Sequence, residues 1–337
     1  MRKKAPTVLL EGKLPIAVLT PLLASIPMRG NLVVAPNVGV DVGVIRSRGK
    51  YIVSSSDPIT GADKRLGWHA VNVSANDVAT SGIMPTSLNA VLLLPPSTHP
   101  EKVRRLLFEI NACARGLGIS VAGGHTEITP DLPRPILVVT AYGSGDEFVT
   151  SSMAKRDDAI LMTKTAGIEG TSIISRLPGV QKLLSKKVLA DGRGLISGMS
   201  IVKEARTAFK TGHVHAMHDV TEGGVLGAVA EMSLASGLGF YLDADSVPID
   251  PSTRQICSAL GIDPLKLLGS GSLLISCREA DALAVMRPLN RQGIICTKIG
   301  RMVSKSAGRK VVSGDRAREL IDISIQDEVW PALKKFR

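Results

Sequence analysis

The chain has 337 residues, with 41 Lys+Arg against 30 Asp+Glu, a formal charge of +11 and 44% hydrophobic residues. A chain this long and apolar is expected to build a large core in two domains, and disorder is excluded as its dominant state. With only 2 Trp, 3 Tyr and 5 Phe the core must be aliphatic, and nucleic acid is not the expected ligand, because single-strand binders stack bases on rings.

In chain order, Met1-Arg2-Lys3-Lys4 is basic, but Glu11 and Lys13 interrupt the apolar run that a signal peptide needs. The uncharged stretch Leu14–Met28 holds Pro15, Pro21 and Pro27 and falls short of the roughly 20 residues of a membrane span, so no membrane is expected. Asn31–Arg46 and Tyr51–Ser56 are rich in Val and Ile and read as strands, Arg65–Ser81 as a helix, and Ser87–Leu94 as a strand stopped by Pro95-Pro96. The clearest helix follows. Thr98 caps it, Pro100 lies in its first turn, and Glu101 stands three residues after the cap. Val103, Leu106, Leu107, Ile110, Cys113 and Leu117 share one face, which assigns Cys113 to the core rather than to chemistry. Gly116 and Gly118 end this helix, and strands Ile119–Ala122 and Pro135–Ala141 complete the half.

Around Gly143–Asp157 the pattern turns polar, which divides the chain into domains 1–150 and 151–337. Strands are then expected at Ala159–Thr163, Val214–Met217, Phe240–Leu242, Ser272–Ser276 and Ile294–Ile299. Helices are expected at Ile196–Thr211, Gly224–Ala235, Ser252–Leu260, Glu279–Gln292 and Arg316–Ile325. No GxGxxG follows the first strand and no GxxxxGK[ST] occurs, so neither a dinucleotide fingerprint nor a P-loop is present. Cys113, Cys257, Cys277 and Cys296 are scattered without a CxxC pair, which argues against zinc and against a disulfide framework and points to the cytoplasm. The positive excess reads as a solvated surface that also attracts anionic substrates such as nucleotides.

The informative feature is where the acids fall. Asp41 interrupts the apolar run Val38–Ile45, and Asp57 ends a strand after Ser54-Ser55-Ser56. Asp77 lies in the small-residue helix Asn72–Gly82 beside Asn76, and Asp219 and Glu222 lie in His218-Asp219-Val220-Thr221-Glu222-Gly223-Gly224. An acid in apolar surroundings is costly unless it is paired or binds a cation. Brought together, such carboxylates suit Mg²⁺, which shares oxygen ligands with phosphates, and neighbouring glycines let backbone N–H groups approach those phosphates. Taken singly, each acid also reads as a turn or cap residue, and Gly123-Gly124 as a turn. His213 and His215 alternate on a strand, so they read either as a metal pair or as a surface feature, with His218 near the site. Asp243, Asp245 and Asp250 read as loop acids.

Taken together and in order, the segments resemble the superfamily of aminoimidazole ribonucleotide (AIR) synthetase, thiamine-monophosphate kinase, selenophosphate synthetase and the hydrogenase-maturation protein HypE. The Asp41 strand is similar to the family's GDDAAVI element, and Ser55-Ser56-Asp57 to its TTD element. Val73–Pro85 is similar to vNlSDlaamGa.P, Val121–Thr126 to vGGDT, Asp158–Lys164 to GDaiivtg, and Met217–Gly224 to DvSDGGL. The resemblance implies a two-domain PurM-like fold, with an N-terminal α/β domain that dimerises through its sheet and a C-terminal α+β domain. It implies ATP in a cleft between the domains, Mg²⁺ held by Asp41, Asp57, Asp77, Asp219 and Glu222, and nucleotide contacts from Asn76, Gly123, Gly124, His125 and Thr126.

Three departures bear on which member this is. The Asp expected after Gly-Gly is His125, which leaves three readings: a metal site moved to Glu127, a phosphate hydrogen bond, or a loop-fixing role. No Cys follows Cys296, whereas HypE proteins end in a Cys that is modified. No Cys precedes Cys113, whereas selenophosphate synthetases carry one, with a Lys, in an N-terminal loop where only Lys13 is comparable here. The expected activity is HypE-like: ATP- and Mg²⁺-dependent phosphorylation, or activation through a phosphorylated intermediate, of a small-molecule or protein-amide acceptor. The alternatives are a thiamine-monophosphate-kinase-like phosphotransferase and a non-catalytic nucleotide-binding assembly protein. Catalysis would rest on alignment and charge neutralisation. The loops Gly61–Lys64 and Ile168–Thr171 would set specificity.

Overall fold

The computed structural model describes residues 14–59, 65–321 and 324–336. Lys13 and the Gly61–Lys64 loop lie outside them. In chain order the first half contains α1 (Ile16–Ala24), β1 (Leu32–Val34), β2 (Gly43–Ser47), β3 (Lys50–Ile59), α2 (Leu66–Thr80), β4 (Pro85–Leu94), α3 (Pro100–Leu117), β5 (Ser120–Ile128) and β6 (Ile136–Gly145). Its six-stranded sheet has the order β1-β2-β3-β6-β4-β5, with β4 and β5 parallel and the other pairs antiparallel. Alternation along β6 buries Leu137, Val139 and Ala141 in one core with Leu88 and Leu92 of β4 and with helices α2 and α3. The opposite face, with Val138, Thr140 and Tyr142, is only half-buried, and β5 at the sheet edge is exposed at every residue.

The second half continues with β7 (Asp158–Thr163), α4 (Ile168–Ile174), α5 (Pro178–Gln181), α6 (Lys186–Gly194), α7 (Val202–Phe209), β8 (Val214–Val220), α8 (Gly224–Ser236), β9 (Gly239–Asp243), α9 (Pro251–Leu260), β10 (Ser272–Arg278), α10 (Ala282–Arg291), β11 (Cys296–Val303), β12 (Arg309–Ser313), β13 (Arg316–Glu319) and α11 (Val329–Phe336). The seven-stranded sheet has the order β13-β12-β9-β11-β7-β10-β8. Every residue of β7 is buried because both faces are covered. Ile160 and Met162 pack with α8, and Ala159 and Leu161 with α7 and α10.

The halves share a core. Ala79 and Val149 of the first half join the cluster under α7. Gly82 has φ +79°, and a Cβ there would stand 2.3 Å from the Phe209 ring, so only glycine lets the end of α2 close on α7.

Several elements differ from the sequence expectation, each for a local reason. The strand expected over Asn31–Arg46 is broken between β1 and β2, because the chain leaves the sheet at Pro36–Asp41 and reaches α8, where a Cβ on Gly39 would strike the Glu231 carbonyl at 2.5 Å. His99, not Thr98, caps α3, its Nδ1 accepting from the Glu101 N–H at 3.2 Å. The helix expected over Ile196–Thr211 begins only at Val202, after a 3₁₀ turn, because side chains from elsewhere take the backbone of residues 198–201. Arg316–Glu319 is a strand, not a helix: Gly314, at φ +52°, turns a hairpin that pairs Ser313 with Arg316. Ile168–Thr171 is the start of a buried helix rather than a loop.

Candidate active site

The acids converge where α2, β3 and β8 meet. The small side chains of Ala75, Val78 and Ala79 let α2 pack between the two sheets, and Ser74 Oγ ties it to the Val139 carbonyl of β6 at 2.8 Å. Asp77, buried on this helix, shares the hydroxyl of Ser55 with Asp57: Ser55 Oγ lies 2.7 Å from Asp77 and 3.1 Å from Asp57. Burial raises the Asp77 pKa well above the usual carboxylate range, and Asp219, Asp57 and Asp41 raise it further. Four predicted acids, three from the first half and one from the second, therefore feel one another's charge.

His218 closes the cluster. Its Nδ1 lies 2.7 Å from the Asp41 carboxylate and its Nε2 3.1 Å from Glu231 of α8. Burial pulls its pKa down, but the two carboxylates outweigh burial and hold it at about 10. Asp41, His218 and Asp219 offer ligand atoms within 4.8 Å of one another. Carboxylate oxygens from Asp41, Asp57, Asp77 and Asp219 are a hard donor set, and the mutual repulsion that adds to burial in raising the Asp77 pKa is what a divalent cation would relieve. The residues present thus fit Mg²⁺.

Other predicted residues are placed elsewhere. Glu222 Oε1 accepts from Trp330 Nε1 of α11 at 2.9 Å, so it fastens the last helix instead of joining the acids. Asn76 spends its amide on the second domain, donating to the Met199 carbonyl at 2.9 Å and accepting from the Ile201 N–H at 2.9 Å. Gly123, Gly124, His125 and Thr126 are not a turn. They lie in β5, in a row that runs Asp57, Val139, Ala90, Gly124 across the sheet. That row places Gly124 three strand spacings, roughly 14 Å, from Asp57. A Cβ on Gly124 would meet the Ala90 carbonyl at 2.0 Å, so the glycine serves close strand approach. His125 is exposed, its Nε2 3.3 Å from Glu127, and Thr129 Oγ1 bonds the same Glu127 at 3.2 Å.

His213 and His215 hold separate acids rather than a shared ion: His213 is 3.5 Å from Asp281, and His215 is 2.9 Å from Asp158. Asp243 caps the 3₁₀ turn Ala244–Ser246, and Asp250 caps α9. Sequence reasoning missed Lys164, whose Nζ reaches the Gly198 and Ser200 carbonyls at 2.7 Å each and Glu204 at 2.8 Å. Its signal was available: a lone Lys directly after the apolar strand Ala159–Thr163. Together Asn76 and Lys164 grip residues 198–204 from both domains.

Two family models match the chain: AIR synthase related protein, N-terminal domain, over residues 39–144, and AIR synthase related protein, C-terminal domain, over residues 155–313. A carbamoyl dehydratase HypE from Cupriavidus necator is 28% identical over 250 residues, covering 71% of this chain and 68% of its own length. A solved hydrogenase maturation protein HypE in complex with ATP is similar with a TM-score of 0.70 at 20% identity, over 93% of this chain and 92% of that one. AaThiL complexed with AMPPCP and TMP is similar with a TM-score of 0.67 at 18% identity, over 83% of this chain and 88% of that one. Among the described residues no helix is long and apolar enough to cross a membrane. Two sheets in order, the two matched models and the shared fold lead to one conclusion: the chain belongs to the AIR synthase related family and has its two-domain PurM-like fold.

Proposed function

We propose that this chain is an ATP- and Mg²⁺-dependent enzyme that phosphorylates, or activates through a phosphorylated intermediate, a carbonyl, amide or small-molecule acceptor. The observation that carries the reading is the carboxylate cluster built from both domains, with the Asp77 pKa raised by burial and by Asp219, Asp57 and Asp41. Asp41, Asp57, Asp77 and Asp219 would hold Mg²⁺, which neutralises phosphate charge when bound. His218 positions Asp41 and carries a second positive charge at the cluster. The relatives support the same reading by name: a carbamoyl dehydratase, a HypE in complex with ATP, and a ThiL with AMPPCP and TMP.

The acceptor is a separate molecule. Cys113, Cys257, Cys277 and Cys296 are buried, and burial pushes their thiols up to about 11 for Cys113 and about 12 for the others, so none supplies a thiolate at neutral pH. Four free cysteines also fit a reducing cytoplasm. A homodimer completes the site: the half-buried sheet face and the exposed β5 need a partner, and the Gly123–Thr126 segment is too far from the acids to serve them within one chain.

A kinase-like transfer that leaves the phosphoryl group on the acceptor is the second reading, favoured by the structural likeness to ThiL and by the assembled acid set. ADP release with Mg²⁺ and a panel of acceptors tests both. Thiamine monophosphate and a carbamoylated thiol peptide are the first two to try. Acceptor-dependent ADP release is expected, and the product identity separates dehydration from simple transfer. ATP binding with no acceptor-dependent turnover across the panel would favour the non-catalytic assembly protein instead.

A further inference from the structure

Behind the acids, one residue of α8 meets the Asp41 loop twice. The first meeting is along the main chain. Gly39, two residues before Asp41, has φ +75°, and a Cβ there would stand 2.5 Å from the Glu231 carbonyl oxygen and 2.9 Å from its carbon. Only glycine lets the loop lie that close to the helix. Ser151 Oγ donates to the Gly39 carbonyl, and neighbouring Val38 is buried. The backbone that leads into Asp41 is therefore seated on the second domain at Glu231.

The second meeting runs through a side chain. Glu231 Oε2 lies 3.1 Å from His218 Nε2, and His218 Nδ1 lies 2.7 Å from the Asp41 carboxylate. Only 2% of the His218 side chain is exposed, so water does not replace either carboxylate as its partner. An ionised carboxylate only accepts, so each contact needs a proton on the ring nitrogen that faces it. A ring that donates from both nitrogens has no lone pair left for a metal. Asp41, His218 and Asp219 lie close enough to share an ion. Within that trio the imidazole is spent on Asp41 and Glu231, and the donors left for a cation are all oxygen. Asp41 stays among them, because a carboxylate has about four lone-pair sites and His218 does not exhaust them.

We propose that Glu231 is a positioning residue for the cation site: it holds His218 as a two-way hydrogen-bond donor, and through His218 it sets Asp41 in place for Mg²⁺. The assignment rests on reading the acids as a Mg²⁺–phosphate site. Glu231 acts through another residue and is not itself among the four acids that would meet the ion. Groups that orient metal ligands from behind tune affinity without touching the metal. The relay also crosses the domain boundary, since Asp41 comes from the first half and His218 and Glu231 from the second. Asp219 follows His218 directly on β8, so the same ring that fixes Asp41 fixes where it stands relative to Asp219.

Mn²⁺, which takes the same oxygen donors as Mg²⁺, is the probe. Its uptake by the full chain, followed by loss of the free ion's electron paramagnetic resonance signal, needs neither nucleotide nor turnover. Wild type should bind Mn²⁺ saturably, and Glu231→Leu should weaken that binding about 10–100-fold. Glu231→Gln keeps an oxygen to accept from Nε2 and should fall between the two, weaker than wild type by about threefold or more. A merely structural Glu231 would lower the melting temperature and leave the Mn²⁺ affinity of the folded protein unchanged. Equal affinity in wild type and in whichever of the two variants folds would therefore overturn the proposal, as would a wild type that takes up no Mn²⁺. Nitrogen-15 spectra of histidine-labelled, metal-free wild type give a second readout. His218 should carry a proton on each ring nitrogen at neutral pH, and one bare nitrogen would overturn the relay. The two readings fail separately: wild type that binds Mn²⁺ but no ATP strikes the phosphoryl-transfer reading, whereas Mn²⁺ binding indifferent to Glu231 strikes this one.

Discussion

The two ends of helix α2 meet the second domain in different ways. At the Asp77 end, carboxylates from α2, β3, the loop before β2 and β8 crowd together, and burial together with that crowding raises the Asp77 pKa. At the Arg65 end, the Arg65 guanidinium lies over the Trp68 ring, and buried His69 Nδ1 stands 3.2 Å from Glu169 Oε1 of α4. Asn76, one residue before Asp77, grips residues 199–201. The difference teaches how one helix organises the cleft: one end gathers the acids that would hold a cation, and the fastenings to the second domain are not the groups expected to touch ligand.

The fastenings can be broken first. Lys164→Met removes the positive charge beside buried Glu204 and strips the Gly198 and Ser200 carbonyls of a donor. It should destabilise the protein by about 3–5 kcal/mol in chemical denaturation, the cost of stranding a buried charge. A loss below 1 kcal/mol would mean that residues 198–204 are held by something else. Asn76→Ala leaves the Ile201 N–H and the Met199 carbonyl unpaired and should cost about 2–4 kcal/mol. Hydrogen exchange at Ile201 should rise with it. Unchanged exchange would remove Asn76 from the interdomain contact.

The charges can be tested next through pH. The His218 pKa is raised from 6.5 to about 10, so its protonated form stabilises the folded state. That contribution is fully present below pH 6.5 and is lost as pH rises through about 10. The stability gap between wild type and His218→Gln should therefore be widest in acid and shrink across that window. A gap that grows with pH would contradict the His218–Asp41–Glu231 arrangement.

Asp77 gives the same direction with pH by a different route, because a raised carboxyl pKa makes its charged form a burden that grows as pH rises above the usual carboxylate range. Asp77→Asn should raise the melting temperature of the ligand-free protein by about 2–4 °C at neutral pH and abolish the further rise that Mg²⁺ with ATP produces. A lower melting temperature would mean that the carboxylate is already compensated. The smallest effect is expected at His125, exposed in β5: His125→Ala should shift stability by no more than about 0.5 kcal/mol. Any large change in ATP affinity in that variant would favour the phosphate reading of His125 over the loop-fixing one.

The acids were legible in the sequence because carboxylates in apolar or small-residue runs are costly, and four of the five expected acids meet. The contact that Glu222 makes was not legible, because its partner, Trp330, is 108 residues away and no local pattern announces it. The same holds for Asn76, whose acceptor and donor lie in the other domain. Most strands and helices followed from period and punctuation. The failures at 196–201 and 316–319 came where a tertiary grip or a single left-handed glycine overrode an apolar pattern.

The most direct test of the central claim is calorimetric titration of ATP, with and without Mg²⁺, into wild type, Asp57→Asn and Asp77→Asn. The account predicts Mg²⁺-dependent binding by wild type that both substitutions abolish. Absence of nucleotide binding by folded wild type, or binding that survives both substitutions, would contradict it.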